Sequence, residues 1–227
     1  EYITIASTGN ATDFGDLTIA RDNIPAGCNS STRAVFGGGY NGATLTTTEF
    51  VTIASTGNGT SFGDLFEGVY FTSACSSPTR GIWAGGAPTT NTIQYITIAS
   101  TGNALDFGDL TVAKYGVSSC SSATRGLFFG GLPGGSTTNV IEYITIASTG
   151  NTTDFGDMIS NYFAQGACSS STRGVVGGGA TGNSFTAAQN VIQYVTIAST
   201  GNATDFGDLT IKVYYLTGLS NDNGGVQ

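Results

Sequence analysis

The chain has 227 residues, a formal net charge of −8 and no histidine. The missing imidazole removes the usual general base, the commonest nitrogen metal ligand and the side chain that titrates near neutrality. Seven Lys and Arg against 15 acids argue against a nucleic-acid partner, which needs cations on phosphate, and no apolar run approaches the ~20 residues that cross a bilayer, so no membrane insertion is expected.

The first segment, Glu1–Ile19, carries a phrase that organises the whole chain: YITIASTGNATDFGD from Tyr2. It returns from Phe50, Tyr95, Tyr143 and Tyr194, at intervals of 48, 45, 48 and 51 residues. A period in the forties predicts one supersecondary unit used repeatedly, a propeller blade or a solenoid coil. Between the first two copies, IPAGCNS (Ile24–Ser30) reads as a short strand of small residues. TRAVFGGG (Thr32–Gly39) reads as an apolar strand ending in glycines, and Tyr40–Thr46 as a polar loop. TTEFVTIAST (Thr47–Thr56) alternates in β-branched fashion. Gly57–Gly59 is a turn, and SFGDLFEG (Ser61–Gly68) a fourth strand. No stretch carries the helical period.

Glu1–Ile19 therefore supplies strands three and four of a blade. Full blades are expected at about 20–66, 67–111, 112–159 and 160–211. The tail Lys212–Gln227 aligns with a first strand, with Leu219 at the cysteine position, and begins a second strand at Gly225–Gln227. The expectation is an all-β single domain over 1–227. It is a propeller of five blades of four antiparallel strands, one of them closed by strands from both termini (1–19 and 212–227). Closure of this kind removes exposed sheet edges; an open arc is the alternative. The chain opens and closes inside a repeat and lacks an initiator Met, as a segment of a longer protein or a processed product would.

Cys28, Cys75, Cys120 and Cys168 are one repeat position and read as small buried residues, not as a disulfide framework or metal clip. Arg33, Arg80, Arg125 and Arg173 follow each cysteine by five residues. They are expected to tie structurally to the repeated FGD carboxylates Asp16, Asp64, Asp109, Asp157 and Asp208; a ring of arginines binding an anion is the rival, with Gly224 interrupting it. The D-x-x-D pattern formed with Asp13, Asp106, Asp154 and Asp205 lacks the acidic density of a calcium loop, so neither metal nor cofactor is expected. Four of the five N-x-[ST] sites (Asn10, Asn58, Asn151 and Asn202) lie in the repeated turn, and Asn29 is the fifth. Trp83 reads as core filler.

The glycine pairs Gly38-Gly39, Gly85-Gly86, Gly130-Gly131 and Gly178-Gly179, the third-strand aromatics (Tyr2, Phe50, Tyr95, Tyr143, Tyr194) and the fourth-strand aromatics (Phe14, Phe62, Phe107, Phe155, Phe206) resemble a kelch-type β-propeller repeat. Phe stands where that family usually has Trp. The phrase TIASTGNATDFGDL also resembles repeats in structural and tail-fibre proteins of phages that infect marine cyanobacteria. The resemblance implies a virion-surface or extracellular location and partners among other virion or surface proteins.

The blades differ in length mainly after the glycine pair, so binding is expected in those loops, at Tyr40, Asn41, Thr89, Thr90, Asn91, Ser136, Thr137, Asn183 and Phe185. Polar loops with an occasional aromatic suit a host glycan or protein. The functional expectation is a non-enzymatic binding module, such as part of a tail fibre. A purely structural virion propeller without ligand is one alternative. A carbohydrate-active enzyme is a weaker one, because glycosidases single out two carboxylates and these acids repeat equally.

Overall fold

In each repeat the strands are short because turn residues interrupt the chain every few positions, and each strand bonds to its neighbours in the chain. The computed structural model describes residues 1–23, 26–182 and 187–220. Its elements are all strands. The first blade comprises β1 (Ala26–Asn29), β2 (Arg33–Gly37), β3 (Thr47–Thr52) and β4 (Thr60–Asp64). The second comprises β5 (Ser73–Ser76), β6 (Arg80–Gly86), β7 (Thr90–Thr97) and β8 (Leu105–Asp109). The third comprises β9 (Ser118–Ser121), β10 (Arg125–Phe129), β11 (Thr138–Thr145) and β12 (Thr153–Tyr162). The fourth comprises β13 (Gly166–Ser169), β14 (Arg173–Gly177), β15 (Gln189–Thr196) and β16 (Thr204–Val213). Each sheet pairs its strands in chain order, antiparallel throughout. The innermost strands β1, β5, β9 and β13 contact one another in sequence. This radial arrangement of small antiparallel sheets is a β-propeller.

The core lies between neighbouring blades. Cys28 and Val35 of the first blade pack with Trp83, Ile96 and Ile98 of the second, and Trp83 Nε1 donates to the Ala26 carbonyl at 3.1 Å. The second and third blades repeat this with Cys75 and Ile82 against Phe128, Ile144 and Ile146. The third and fourth do so with Cys120 and Leu127 against Val195 and Ile197. Three of the four cysteine sulfurs fill the space left by a glycine of the next blade, Cys28 at Gly81, Cys75 at Gly126 and Cys120 at Gly174. Burial pushes these thiols up, Cys75 to about 12, which makes them poor nucleophiles.

The repeated phrase is the joint between blades. Its turn glycine donates to the carbonyl of the preceding copy's FGD phenylalanine: Gly57 to Phe14, Gly102 to Phe62, Gly150 to Phe107 and Gly201 to Phe155, at 2.7–2.8 Å. The turn asparagine accepts from the FGD aspartate's N–H through its Oδ1: Asn58 from Asp16, Asn103 from Asp64, Asn151 from Asp109 and Asn202 from Asp157, at 3.0–3.1 Å. The FGD glycines permit this closeness. A Cβ on Gly63 or Gly108 would lie 2.5 Å from the carbonyl carbon of Gly102 or Gly150.

The expected fifth four-stranded blade is corrected to four complete blades. The terminal segments form no fifth sheet among the described residues. The N-terminal copy of the phrase makes a single bridge, Tyr2 to Thr12, where full blades have continuous ladders. Tyr214–Ser220 forms no strand, though it runs beside β13, with Gly218 against Ala167 and Ser220 bonded to Ser169. The second-strand assignment to Gly225–Gln227, like Gly224 in the arginine position, lies outside the described residues, as do Ile24, Asn183 and Phe185. The segments nevertheless keep repeat geometry. Tyr2 and Phe14 meet edge-to-face at 5.9 Å, as Tyr95 and Phe107 do at 5.8 Å. Ser220 Oγ donates to the Ser169 carbonyl at 2.7 Å, as Ser169 does to Ser121 and Ser121 to Ser76.

Candidate functional site: the loop rim and axial channel

The arginines take partners other than those the sequence suggests. Among the described residues no FGD aspartate pairs with an arginine; the ion pairs are Arg21–Glu49 and Lys114–Glu142. Each repeated arginine sits over the third-strand aromatic of its own blade, with guanidinium-to-ring distances of 4.4–4.7 Å. Arg33, Arg80 and Arg125 also donate to a carbonyl of the next blade: Ile98 at 3.1 Å, Ile146 at 2.8 Å and Ile197 at 3.0 Å. Stacking and carbonyl bonding consume these cations structurally. Arg125→Ala should therefore cost about 1–2 kcal/mol, combining a cation–π contact with a charged hydrogen bond. Arg125→Lys should not restore the loss. Urea midpoints check both, and an unchanged midpoint would contradict the assignment.

The axial channel is lined by five chain segments. Gly27 and Asn29, Ala74 and Ser76, Ser119 and Ser121, Ala167 and Ser169, and Gly218 and Ser220 surround a cavity of about 260 Å³. The segments enter it through a staircase of residues with positive φ: Asn23 (54°), Phe71 (51°), Gly116 (65°), Ala164 (55°) and Tyr215 (54°). Each amide bonds to the carbonyl of the step before: Phe71 to Asn23, Gly116 to Phe71, Ala164 to Gly116 and Tyr215 to Ala164, at 2.8–3.1 Å.

Phe71 and Tyr215 line a small pocket beside these steps, within a wider cluster of aromatic side chains, part of which packs on the buried Phe163. Tyr70, Tyr115, Phe163 and Tyr214 occupy one repeat position, with Asp22 in the fifth place, and Phe71 and Tyr215 occupy the next. Phe71 stacks on Tyr215 at 5.5 Å and lies 6.4 Å from Tyr115. Tyr70 contacts Phe71 at 5.3 Å, and Phe163 contacts Tyr215 at 6.1 Å. Burial, together with Tyr115 and Tyr214, raises the Tyr215 hydroxyl above its ordinary range. The bridges Asp22–Tyr40, Tyr70–Ala87, Tyr115–Leu132 and Phe163–Ala180 place the cluster beside the glycine pairs, on the rim of the variable loops.

Tyr40 joins this cluster, 5.5 Å from Tyr70, and Asn41 turns the same loop through its bond to the Ala43 carbonyl. Thr137 Oγ1 donates to the Thr181 carbonyl, linking the third and fourth loops. Ser136 closes a turn on Pro133. Thr90 is bound to Glu67 at 2.7 Å, Asn91 accepts from the Leu110 amide, and Thr89 beside them stays at the surface. The candidates are thus spread round the rim rather than gathered in one pocket. Sequence reasoning missed Tyr70, Phe71, Tyr115, Phe163, Tyr214 and Tyr215. Carrying the 48, 45, 48, 51 register into the inter-blade linkers would have found them.

Among the described residues no group of three His, Cys, Asp or Glu could hold a metal, and no helix is long and apolar enough to cross a membrane. In comparisons with known proteins, no family model and no curated protein matches the chain.

Proposed function

We propose that this propeller is a non-enzymatic recognition module, kelch-like in its repeat, that presents its variable loop rim to a host-surface glycan or protein. A place in a virion appendage such as a phage tail fibre fits the resemblance of its repeated phrase. The proposal includes a ring of five positions, the fifth contributed by both termini; the five segments around the channel support it. The observation that carries the functional reading is the partly exposed aromatic cluster of Tyr40, Tyr70, Phe71, Tyr115, Tyr214 and Tyr215 beside the loop rim. Flat neutral rings beside hydroxyl and amide groups suit sugar faces, with stacking for the C–H surface and hydrogen bonds for the hydroxyls. The repeated arginines, by contrast, are taken up by contacts inside the fold.

Glycan-array screening followed by titration tests it. Tyr115→Ala and Tyr215→Ala should each weaken a hit about tenfold, the loss of one stacking contact of ~1.4 kcal/mol. Exchange of the Tyr40–Thr46 loop should change which glycans bind. Absence of any glycan or surface-protein ligand, with this rim buried by neighbouring subunits in an intact particle, would replace the reading by a structural one. Sugar release by the purified protein would revive an enzymatic one.

A further inference from the structure

Gln165 is buried, 6% exposed, yet neither end of its carboxamide has a hydrogen-bond partner among the described residues. An unpaired buried amide destabilises a fold, and packing does not require one here. Three residues before the inner-strand cysteine, or before Leu219, stand Thr72, Val117, Gln165 and Leu216. Thr72 lies against Gly86, Val117 against Gly131 and Gln165 against Gly179, the second glycine of each pair. Thr72 donates to the Ala84 carbonyl at 3.3 Å, and Val117 and Leu216 have no polar group to satisfy. A Cβ on Gly179 would collide with the Gln165 stem, so the stem is held against this backbone.

Two cavities meet at this side chain. One, of about 60 Å³, is bounded by Phe71, Gly116, Ala164 and Tyr215. The other, of about 260 Å³, belongs to the axial channel and reaches Ser118, Ser119 and Thr217. Thr72, Val117, Gln165 and Leu216 line both. At about 260 Å³ the larger cavity lies just below the ~300 Å³ of small ligand pockets, room for one sugar residue and not for a chain of them. Among the described residues no charged side chain lines either cavity, so an anion would meet no cation and a cation no carboxylate. The serine hydroxyls nearby already donate, Ser118 to the Gln165 carbonyl at 2.7 Å and Ser119 to the Ala74 carbonyl at 2.8 Å. The carboxamide, by contrast, offers two donors and an acceptor side by side. Two neighbouring hydroxyls of a sugar match that set. Phe71 and Tyr215 stack on each other with centroids 5.5 Å apart and give the smaller pocket a flat apolar wall for C–H groups.

We infer that the Gln165 carboxamide is a specificity-determining group that binds one neutral sugar residue at this end of the axial channel. The inference rests on the glycan reading proposed above and adds the place where a terminal sugar is held. The rim loops take the rest of the glycan.

Free D-galactose, D-glucose, D-mannose and N-acetyl-D-glucosamine, titrated one at a time into the nitrogen-labelled full chain, are the probes. At least one should shift the Gln165 side-chain amide signals, which are assigned by their loss in Gln165→Leu. That variant is close in volume and matches Leu216. It should bind the same sugar about tenfold more weakly, with a urea midpoint no lower than the wild type. Gln165→Val, matching Val117, is the second variant and should behave alike. A lowered midpoint in both would show that the amide has a partner inside the fold, and would overturn the inference. Equal sugar binding by the wild type and both variants would also overturn it. If that binding is lost on exchange of the Tyr40–Thr46 loop, the rim reading stands and the channel site is discarded. If no sugar and no arrayed glycan binds, water alone satisfies the amide, and both readings are discarded.

Discussion

Gly108→Ala should be among the most damaging single-methyl substitutions in this protein, lowering stability by about 3–5 kcal/mol. Two effects combine. Gly108 sits at φ 145°, a region that L-residues rarely adopt. A Cβ there would also lie 2.5 Å from the Gly150 carbonyl carbon and 2.9 Å from the Asn151 nitrogen. Both contacts are backbone, so relief requires pulling the second and third blades apart. That movement would break the Gly150–Phe107 and Asn151–Asp109 bonds. Gly134→Ala is the control. Its φ is 56° but nothing lies within 4 Å, so only backbone strain remains, about 1–2 kcal/mol. Equal urea midpoints for the two variants would show that the joint is looser than described.

Glu142→Gln should cost about 3–5 kcal/mol, because it strands a buried cation. Lys114 Nζ lies 2.6 Å from Glu142 Oε1, with both side chains almost wholly buried. Glu142 also accepts from the Thr111 amide and hydroxyl and from Thr152. Burial alone would raise the carboxyl, but the lysine charge and these hydrogen bonds outweigh it, and the net shift is downward. A depressed carboxyl stabilises the fold above the unfolded carboxylate range of about 4. That contribution disappears as pH falls through the folded value. Acid unfolding of the wild type should therefore include protonation of Glu142. Lys114→Met, which leaves the carboxylate unpaired, should move the acid midpoint to higher pH. The chain itself supplies the rescue. At the same repeat position the second and fourth blades carry Gln94 and Gln193, bonded to the amides of Phe66 and Ile159. Opposite them, in the place of Lys114, stand Val69 and Tyr162. The double variant Lys114→Met, Glu142→Gln should recover most of the loss. A double variant no better than the single would contradict this account.

The sequence made the blade legible because period and turn chemistry are local. The strand pattern in Ile24–Gly68 predicted β1 to β4 in order, and the spacing of the cysteines predicted small buried residues, as Cys28, Cys75 and Cys120 are. Trp83 was readable as core from its place in an apolar strand. Partners were harder. The arginines looked toward repeated carboxylates because charges can be seen in a sequence, whereas their acceptors are main-chain carbonyls 65 to 72 residues away, which carry no signature. Glu49 and Glu142 sit directly before the phrase's aromatic. The alternation of that strand hid them, since their cations Arg21 and Lys114 lie in linkers outside the repeated phrase. The aromatic cluster went unread for the same reason. The blade number expected from the tail exceeded the four sheets formed, because Lys212–Gln227 matches a first strand well and a second strand only over its last few residues.

The central claim is that the repeated phrase works as a joint between blades and not as an isolated hairpin. Residue-resolved hydrogen exchange of the turn glycine amides tests it most directly. Gly57, Gly102, Gly150 and Gly201 lie in exposed turns, yet each donates to a carbonyl of the preceding copy of the phrase. The account predicts that all four exchange slowly, far below the rate of the neighbouring exposed amides of Thr56, Thr101, Thr149 and Thr200. Uniformly fast exchange at the four glycines would mean that the turns are free in solution, and would contradict the ring.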